Sequence, residues 1–485
     1  MIFDYSKYPK ESAEPEAASM IQSFRAIGYN IQTAVADIID NSISAGASNV
    51  WIEFQWKGSD TWFSIKDDGC GMTDKELVQA MRPGSRNPDE KRAPKDLGRF
   101  GLGLKTASFS QCRQLTVISK KESQDKALWT WDLDFVSQTR NWHLIRYAPP
   151  EFETSLDELS SGTIVIWNNL DRVVKNMQTE DNSALDKFLQ IMESVKGHLA
   201  MVFHRYIENR TIKLFFQQRE ILPWDPFLSD NTATRKFPEE PLLNGKIKVK
   251  GFVLPHKSKL SENDHKNAEG PGGWNGQQGF YVYRNQRLIL AGGWLRMFRQ
   301  EEQYKLARIM VDLPNDLDAE WQIDIKKSVA RPPHMLRDQL KAYATRIRGN
   351  AVLVYRHKGQ VLQRKLNTAS FQPVWNAKIQ NGKRYYEINR DHPVIKEIAL
   401  EGNKTINTIL KLLEESLPIP LIVLNENEDP DSFKQPYEDS RKNDLLEVLK
   451  LTYKNLLNNH SESQAKDKLY LIEPFNNYPE LIDSL

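Results

Sequence analysis

Acidic and amide side chains recur in one helical stretch near the N-terminus that contains no lysine or arginine. The segment AVADIIDNSISAGA, residues 34–47, places two aspartates, an asparagine and two serines among isoleucine and alanine. Asp37 and Asn41 lie four residues apart and therefore share a helix face. A carboxylate and a carboxamide on one face can orient a water and bind a hard cation such as Mg²⁺, which prefers oxygen ligands. A cap or a solvated face is the commoner use of such a pair.

The segment DDGCGM, residues 67–72, is a second candidate site because it follows two predicted strands. An aspartate at a strand end, here Asp67, can accept a hydrogen bond from the amino group of adenine. Glycines beside it let a flat base approach the backbone. Thr163, which begins the strand GTIVIWNNL, is placed to share that base with Asp67, directly or through a water. The alternative is a tight turn with a spare acid.

The segment GRFGLGLKTAS, residues 98–108, has three glycines before an apolar helix start. Backbone N–H groups at such a position attract anions, and the helix dipole favours negative charge. The ammonium of Lys105 adds a point charge for a phosphate. A glycine-rich hinge is the alternative.

The elements that must position these residues follow from hydrophobic periodicity. A helix interrupted at IGYN and ended at Ala45-Gly46 precedes two strands, after which a long basic loop leads to the glycine-rich segment. The predicted strands of this region are NVWIEFQW, TWFSIKD, LTVISK, ALWTWDLDF and GTIVIWNNL. A second α/β unit is predicted from the strands KIKVKGFVL, GFYVYRNQRLIL and WQIDIKKS, separated by a polar insertion rich in glycine, and a helix-rich tail follows residue 350.

The order of these motifs resembles the GHKL ATPase superfamily. The resemblance implies an α+β fold: a GHKL (Bergerat) two-layer α/β sandwich, a transducer domain with a ribosomal-protein-like α/β fold, and a helix-rich C-terminal region. We assign the ATPase domain to residues 1–180, with an ATP lid at about residues 73–100. The transducer domain is assigned to residues 181–350 and the helix-rich region to residues 351–485. Implied cofactors are ATP and Mg²⁺. The implied nucleotide contacts are Asn41, Asp67, Gly69, Gly71, Met72, Gly98, Arg99, Phe100, Gly101, Leu102, Gly103, Leu104, Lys105, Thr106 and Thr163, with Asn41 as the metal ligand.

Within this superfamily, GRFGLGLKTASFSQC and SFRAIGYNIQTAVADIIDNSISAGAS look most like the MORC branch and its bacterial relatives. The resemblance makes Asp37 the base that activates water, where most members have glutamate, so turnover is expected to be slow. We expect its carboxylate to face that water rather than a protein group, and we expect Asp40 and Ser42 to make local structural hydrogen bonds. The segment WQIDIKKSVARPP resembles a transducer strand, and this resemblance implies that one of its lysines reaches the γ-phosphate. Because side chains alternate along a strand, we choose Lys327 and keep Lys326 as the second candidate.

Composition narrows the class of protein. The chain has 485 residues, a net charge of +2 and only two cysteines, which favours a multidomain cytoplasmic protein without a disulfide framework. No run of about 18 apolar residues predicts a membrane span, and the N-terminus does not resemble a secretory signal. A histidine kinase is disfavoured because no phospho-acceptor hairpin precedes the helix that carries Asp37.

Two functions stay open. One is an ATP-dependent homodimer that acts as a clamp on DNA, by analogy with MORC and MutL proteins. By the same analogy, this homodimer would work in a bacterial defence or restriction-type system, with a partner protein from the same operon. The other is a nucleotide-gated protein-interaction module with negligible hydrolysis. The basic segments RPGSRNPDEKRAPK and KIKVKGFVLPHKSK suit phosphate contacts, although solvated lysine-rich loops explain them equally well.

Overall fold

The structure is a computed structural model whose chain divides into two compact units, Met1–Tyr355 and Arg356–Leu485. It describes residues 8–11, 13–84, 103–174, 179, 181–314, 317, 320–322, 330–355, 371–380, 383–400, 404–419, 421–422 and 442–485.

A seven-stranded sheet forms the first layer of the first unit. Its strand order is β4-β3-β5-β2-β1-β6-β7, with β1 and β6 parallel and the other neighbours antiparallel. The strands are β1 (Asn49–Gln55), β2 (Trp62–Asp67), β3 (Gln114–Lys120), β4 (Ala127–Asp132), β5 (Gly162–Asn168), β6 (Lys213–Phe216) and β7 (Arg219–Glu220). Because β6 and β7 complete this sheet, the layer extends beyond the domain boundary expected at residue 180.

Helices cover one face of this sheet. They are α1 (Ala17–Ala26), α2 (Ile31–Ser44), α3 (Asp74–Met81), α4 (Gly103–Phe109), α5 (Leu133–Thr139), α6 (Asn182–Val202) and α7 (His204–Glu208). Alternate strand residues such as Ile65 and Val165 belong to the core that α2 and α6 share, whereas Ile164 and Ile166 belong to a smaller cluster with Phe152. This period of two is what a sheet with two different faces requires. The predicted two-layer α/β sandwich is confirmed.

Helix α2 forms where its caps predict. The side chain of Asn30 accepts a hydrogen bond from the backbone N–H of Thr33 at 2.8 Å, which satisfies one free donor of the first turn. Gly46 adopts a φ of +74° just after the helix, a conformation that glycine tolerates without a Cβ penalty. Its alanine and isoleucine residues are buried against the sheet, which fixes the rotation of the helix and the direction of its polar side chains.

The second sheet of the first unit has the order β12-β11-β13-β10-β8, with β9 paired to β10. Its strands are β8 (Arg235–Lys236), β9 (Glu240–Leu242), β10 (Ile247–Val253), β11 (Gly279–Arg284), β12 (Arg287–Ala291) and β13 (Ala307–Leu313). Two short helices, α8 (Glu262–Glu269) and α9 (Gly273–Gly276), precede β11, and α10 (His334–Tyr355) packs on the sheet.

Four local predictions need correction. Residues 74–81 of the predicted lid are not loop but the helix α3, because Thr73 and Glu76 form a capping box. The strand ALWTWDLDF ends at Asp132, whose carboxylate caps α5 by accepting from two backbone N–H groups. The stretch GFYVYRNQRLIL is a hairpin, turned at Asn285 and Gln286 with positive φ angles. The polar insertion contains α8 and α9.

The described part of the second unit is mostly helical, as predicted, and also contains a two-stranded hairpin that the sequence did not predict. The hairpin pairs Trp375–Gln380 with Lys383–Ile388, and the helices are Pro393–Leu400, Lys404–Glu415, Lys442–Leu457, Glu462–Leu469 and Pro479–Asp483. A small core includes Leu445, Leu449 and Phe475. Among the described residues of the chain, no helix is both long and apolar enough to cross a membrane.

Candidate active site

Asp67, at the end of β2, lies in a buried and polar setting. Its Oδ2 accepts a hydrogen bond from the hydroxyl of Ser42 at 2.7 Å, and its Oδ1 accepts one from the backbone N–H of Gly69 at 2.9 Å. Burial raises the pKa of this carboxyl, while these two hydrogen bonds and one from the backbone of Thr163 act in the opposite direction. The donors fix the orientation of the carboxylate and still leave acceptor capacity for a ligand.

Hydroxyl groups at the ends of two neighbouring strands extend this polar cluster. The backbone N–H of Met72 donates to Ser119 Oγ at 2.8 Å, and Ser119 Oγ lies 2.8 Å from Thr163 Oγ1. Thr163 is the direct cross-strand neighbour of both Asp67 and Ser119. The structure therefore brings together three predicted residues, Asp67, Met72 and Thr163. Sequence reasoning missed Ser119, whose only signal was a polar residue at the end of an apolar strand.

Glycine is required at two positions beside the cluster. A Cβ at Gly71, whose φ is +64°, would lie 1.9 Å from the carbonyl oxygen of Lys120. A Cβ at Gly162 would lie 2.3 Å from the carbonyl oxygen of Asp67 and would separate β5 from β2. The backbone is packed so closely here that the glycines set the spacing of the strand ends, and Gly69 is buried among them.

Asp37 and Asn41 share a face of α2, as the spacing predicts, but their surroundings differ. Asn41 is exposed, whereas Asp37 is 4% exposed. The Tyr29 hydroxyl donates to Asp37 Oδ2 at 2.9 Å, and Arg287 Nη2 lies 3.4 Å from Asp37 Oδ1. The expectation that this carboxylate faces no protein group was therefore wrong, because Tyr29, just before the helix, and Arg287, 250 positions away in sequence, both reach it.

The expectation of local partners for Asp40 and Ser42 was also wrong. Asp40 accepts a hydrogen bond from Arg287 Nε at 2.7 Å, across 247 positions of sequence. Ser42 donates to Asp67, which lies 25 positions away. Both are long-range contacts that a helical pattern cannot reveal. Ser42 thus belongs to the candidate site, since it orients the carboxylate of Asp67.

The glycine-rich segment is described only from residue 103 onward. Gly103, Leu104, Lys105 and Thr106 form the first turn of α4, while the predicted contacts at residues 98–102 lie outside the described residues. The ammonium of Lys105 is buried and donates to the carbonyl oxygen of Ala80 at 2.9 Å, near the C-terminal end of α3. A phosphate contact by Lys105 would therefore require this lysine to leave that carbonyl. Lys326 and Lys327 also lie outside the described residues.

Three other potential metal ligands lie close together, His204, Glu208 and Asp225. The ring of His204 contacts Glu208 at 3.0 Å and the hydroxyl of Tyr283 at 2.8 Å, while Asp225 accepts from two backbone N–H groups. These contacts give the cluster a structural role between α7 and β11. Asn41 is the candidate magnesium ligand that the sequence proposes.

Comparisons with known proteins agree with this geometry. Residues 29–163 match the family described as Histidine kinase-, DNA gyrase B-, and HSP90-like ATPase. The chain is 28% identical over 125 residues to the ATPase morc-1 of Caenorhabditis elegans, which covers 26% of this chain and 14% of that protein. It is 26% identical over 182 residues to the chaperone protein HtpG of Rickettsia canadensis, covering 35% of this chain and 26% of that protein. It is 35% identical over 100 residues to the DNA mismatch repair protein MutL of Aeromonas salmonicida, covering 20% of this chain and 15% of that protein.

The matched segments span only about a seventh to a quarter of these relatives. The family match nevertheless includes Asp37, Asn41, Asp67 and Thr163, of which the last two are direct cross-strand neighbours. Residues 29–163 of the chain are therefore similar to the histidine kinase-, DNA gyrase B- and HSP90-like (GHKL) ATPases, MORC and MutL proteins among them.

Proposed function

We propose that this protein binds ATP at the Asp67 cluster and hydrolyses it to ADP and phosphate. The observation that carries the proposal is the convergence of Asp67, Ser119 and Thr163 at three adjacent strand ends. A fixed carboxylate acceptor with hydroxyls beside it suits the amino edge of adenine, and the close-packed backbone at Gly69 and Gly71 suits a flat base.

In the proposed reaction, Asp37 is the general base that takes a proton from the attacking water. Tyr29 donates to one carboxylate oxygen of Asp37 and Arg287 contacts the other, and these two contacts orient the proposed base. Because aspartate is one methylene shorter than glutamate, we expect turnover to be slow.

The exposed carboxamide of Asn41 offers a hard oxygen ligand on the same helix face as Asp37. Such an oxygen fits Mg²⁺, which takes a few protein oxygens together with water and phosphate oxygens. When bound, Mg²⁺ supplies positive charge that offsets the negative charge on the phosphates. From the family resemblance, we assign γ-phosphate contact to Lys327, with Lys326 in reserve.

We further propose that ATP drives homodimerisation and that the dimer acts on DNA. The support is similarity to the ATPase morc-1 and to DNA mismatch repair proteins. Among the basic residues named from the sequence, Lys248 pairs with Glu239 at 3.1 Å, while Lys257 and Lys259 are exposed on the same segment. A defence role and a partner protein from the same operon rest on analogy alone.

The alternative is a nucleotide-gated interaction module with negligible hydrolysis. One observation favours it: Asp37 is buried and already bound by Tyr29 and Arg287. In that case ATP would bind and change the assembly of the protein without being consumed.

Steady-state phosphate release, combined with calorimetric titration of ADP, separates these functions. The wild type should hydrolyse ATP, and Asp37→Asn should abolish turnover while keeping ADP affinity within about twofold, because only the base is lost. Asp134→Asn is the matched control, since it replaces a half-exposed carboxylate on α5, which pairs with Arg113. ADP binding without any wild-type turnover, with or without DNA, would favour the interaction module, and absence of nucleotide binding would refute both.

A further inference from the structure

Arg287 is a buried arginine that joins the second sheet to helix α2. Its Nε donates to Asp40 at 2.7 Å and its Nη2 lies 3.4 Å from Asp37. All three side chains are at most 4% exposed. A buried charge is strongly unfavourable unless it is paired, so these three groups depend on one another.

The hairpin of the second sheet holds this guanidinium in place. Arg287 is the first residue of β12 and directly follows the turn at Asn285 and Gln286. The hydroxyl of Tyr206 on α7 donates to the carbonyl oxygen of Asn285, and the guanidinium lies 5.8 Å from the ring of Phe203. The position of the second sheet therefore sets the position of the positive charge at α2.

The charge balance on α2 shows what this contact does. Asp37 and Asp40 are three residues apart, buried, and on the side of the helix that meets β12. Two neighbouring buried carboxylates repel each other, and the guanidinium that contacts both offsets this repulsion. Because Arg287 Nη2 contacts Asp37 Oδ1 and the Tyr29 hydroxyl donates to Oδ2, the two groups together hold the proposed base in one orientation.

We propose that Arg287 is a positioning residue for ATP hydrolysis, which makes the general base Asp37 active only while the second sheet is docked on α2. This inference rests on the proposed ATPase function. It also extends that function, because the state of the second sheet would control the chemical step without any contact with the nucleotide.

The test measures turnover and ADP affinity for four variants. Arg287→Ala should reduce kcat by at least about tenfold, part of the 10²–10⁴ typical of general-base catalysis, and should leave ADP affinity within about twofold. Arg287→Lys keeps the positive charge but lacks the forked N–H donors of the guanidinium, so its kcat should lie between the kcat of Arg287→Ala and that of the wild type. The double variant Arg287→Ala with Asp40→Asn removes the repelling carboxylate and should regain at least about threefold of the lost kcat. Arg205→Ala is the matched control, because Arg205 also links the helices to the second sheet, through Asp312, without touching α2.

The outcomes distinguish the inference from the proposed function. Wild-type turnover together with normal turnover of Arg287→Ala would overturn the inference and leave the ATPase assignment intact. An equal loss in Arg205→Ala, or no recovery in the double variant, would show that Arg287 is only a structural link and would also overturn it. If Arg287→Ala does not fold, Arg287→Lys and the double variant decide by the same criteria. A wild type without turnover would refute the proposed function and this inference together.

Discussion

His198 provides a quantitative test of how closely the helices and the second sheet pack. It lies on α6, which belongs to the shared core and runs between α2 and β12. Burial, and secondly the positive charge of Arg287, lower the pKa of His198 from 6.5 to about 4. The ring is therefore neutral in the folded protein at neutral pH, whereas in the unfolded chain it titrates at its ordinary value.

The sign of the effect follows from proton uptake. Between pH 6.5 and about 4, the unfolded chain binds a proton at His198 and the folded protein does not. The stability associated with the neutral ring is fully present above pH 6.5 and is lost as the pH falls toward 4. At 1.36 kcal/mol per pH unit, the whole window of about 2.5 pH units corresponds to at most roughly 3.4 kcal/mol. The partial exposure of the ring brings solvent screening, so we expect about 1–3 kcal/mol.

Urea unfolding at a series of pH values between 7.5 and 4.5 measures this quantity. Other groups titrate in the same range, so the informative value is the difference between the wild type and His198→Gln. The wild type should lose about 1–3 kcal/mol more than the variant across this range. The exposed His143 gives the control variant His143→Gln, which should follow the wild type. Parallel curves for the wild type and His198→Gln would refute the burial of His198 in the folded protein.

Three further predictions concern the nucleotide site. Asp67→Asn should weaken ADP binding by about 1–3 kcal/mol, the value of a lost buried hydrogen bond, and an unchanged calorimetric affinity would contradict the role of Asp67 as the adenine acceptor. Asn41→Ala should weaken ATP binding in the presence of Mg²⁺ but not in EDTA, because a metal ligand acts only when the metal is present; equal losses in both buffers would exclude that role. Lys327→Ala should reduce turnover and the ATP-dependent increase in mass measured by light scattering, without changing ADP affinity. If only Lys326→Ala has these effects, the strand register assumed here is wrong by one residue.

Some of the residues predicted from local motifs lie close together in the structure. Asp67, Gly69, Gly71 and Thr163 lie at strand ends, and strand ends follow from period-two hydrophobicity and turn residues. Once β2 and β5 pair, Asp67 and Thr163 must be neighbours. The family resemblance selected the nucleotide among the ligands that such a cluster could bind.

Contacts between distant segments could not be predicted in this way. Tyr29, Ser119 and Arg287 each reach the site through packing, and their own segments carry little or no signal of it. Arg287 lies in a stretch that periodicity predicts as one continuous strand, so neither the turn before it nor its direction toward α2 could be inferred. Helix α3 was missed because charged and polar residues dominate its sequence, and its capping box went unrecognised.

Helix α2 is the element through which the two sheets and the candidate site act on one another. Ser42 donates to Asp67 and Asn41 is the proposed magnesium ligand, while Asp37 and Asp40 bind Arg287 from the second sheet. These residues span less than two turns of one helix, so a shift or rotation of that helix moves all of them together. The hydrogen bond between Asp40 and Arg287 is 2.7 Å long, and a displacement of about 1 Å would take it beyond hydrogen-bonding range. A ligand that moves α2 must therefore either carry the second sheet with it or break the ion pair, and both outcomes couple nucleotide state to the arrangement of the two sheets.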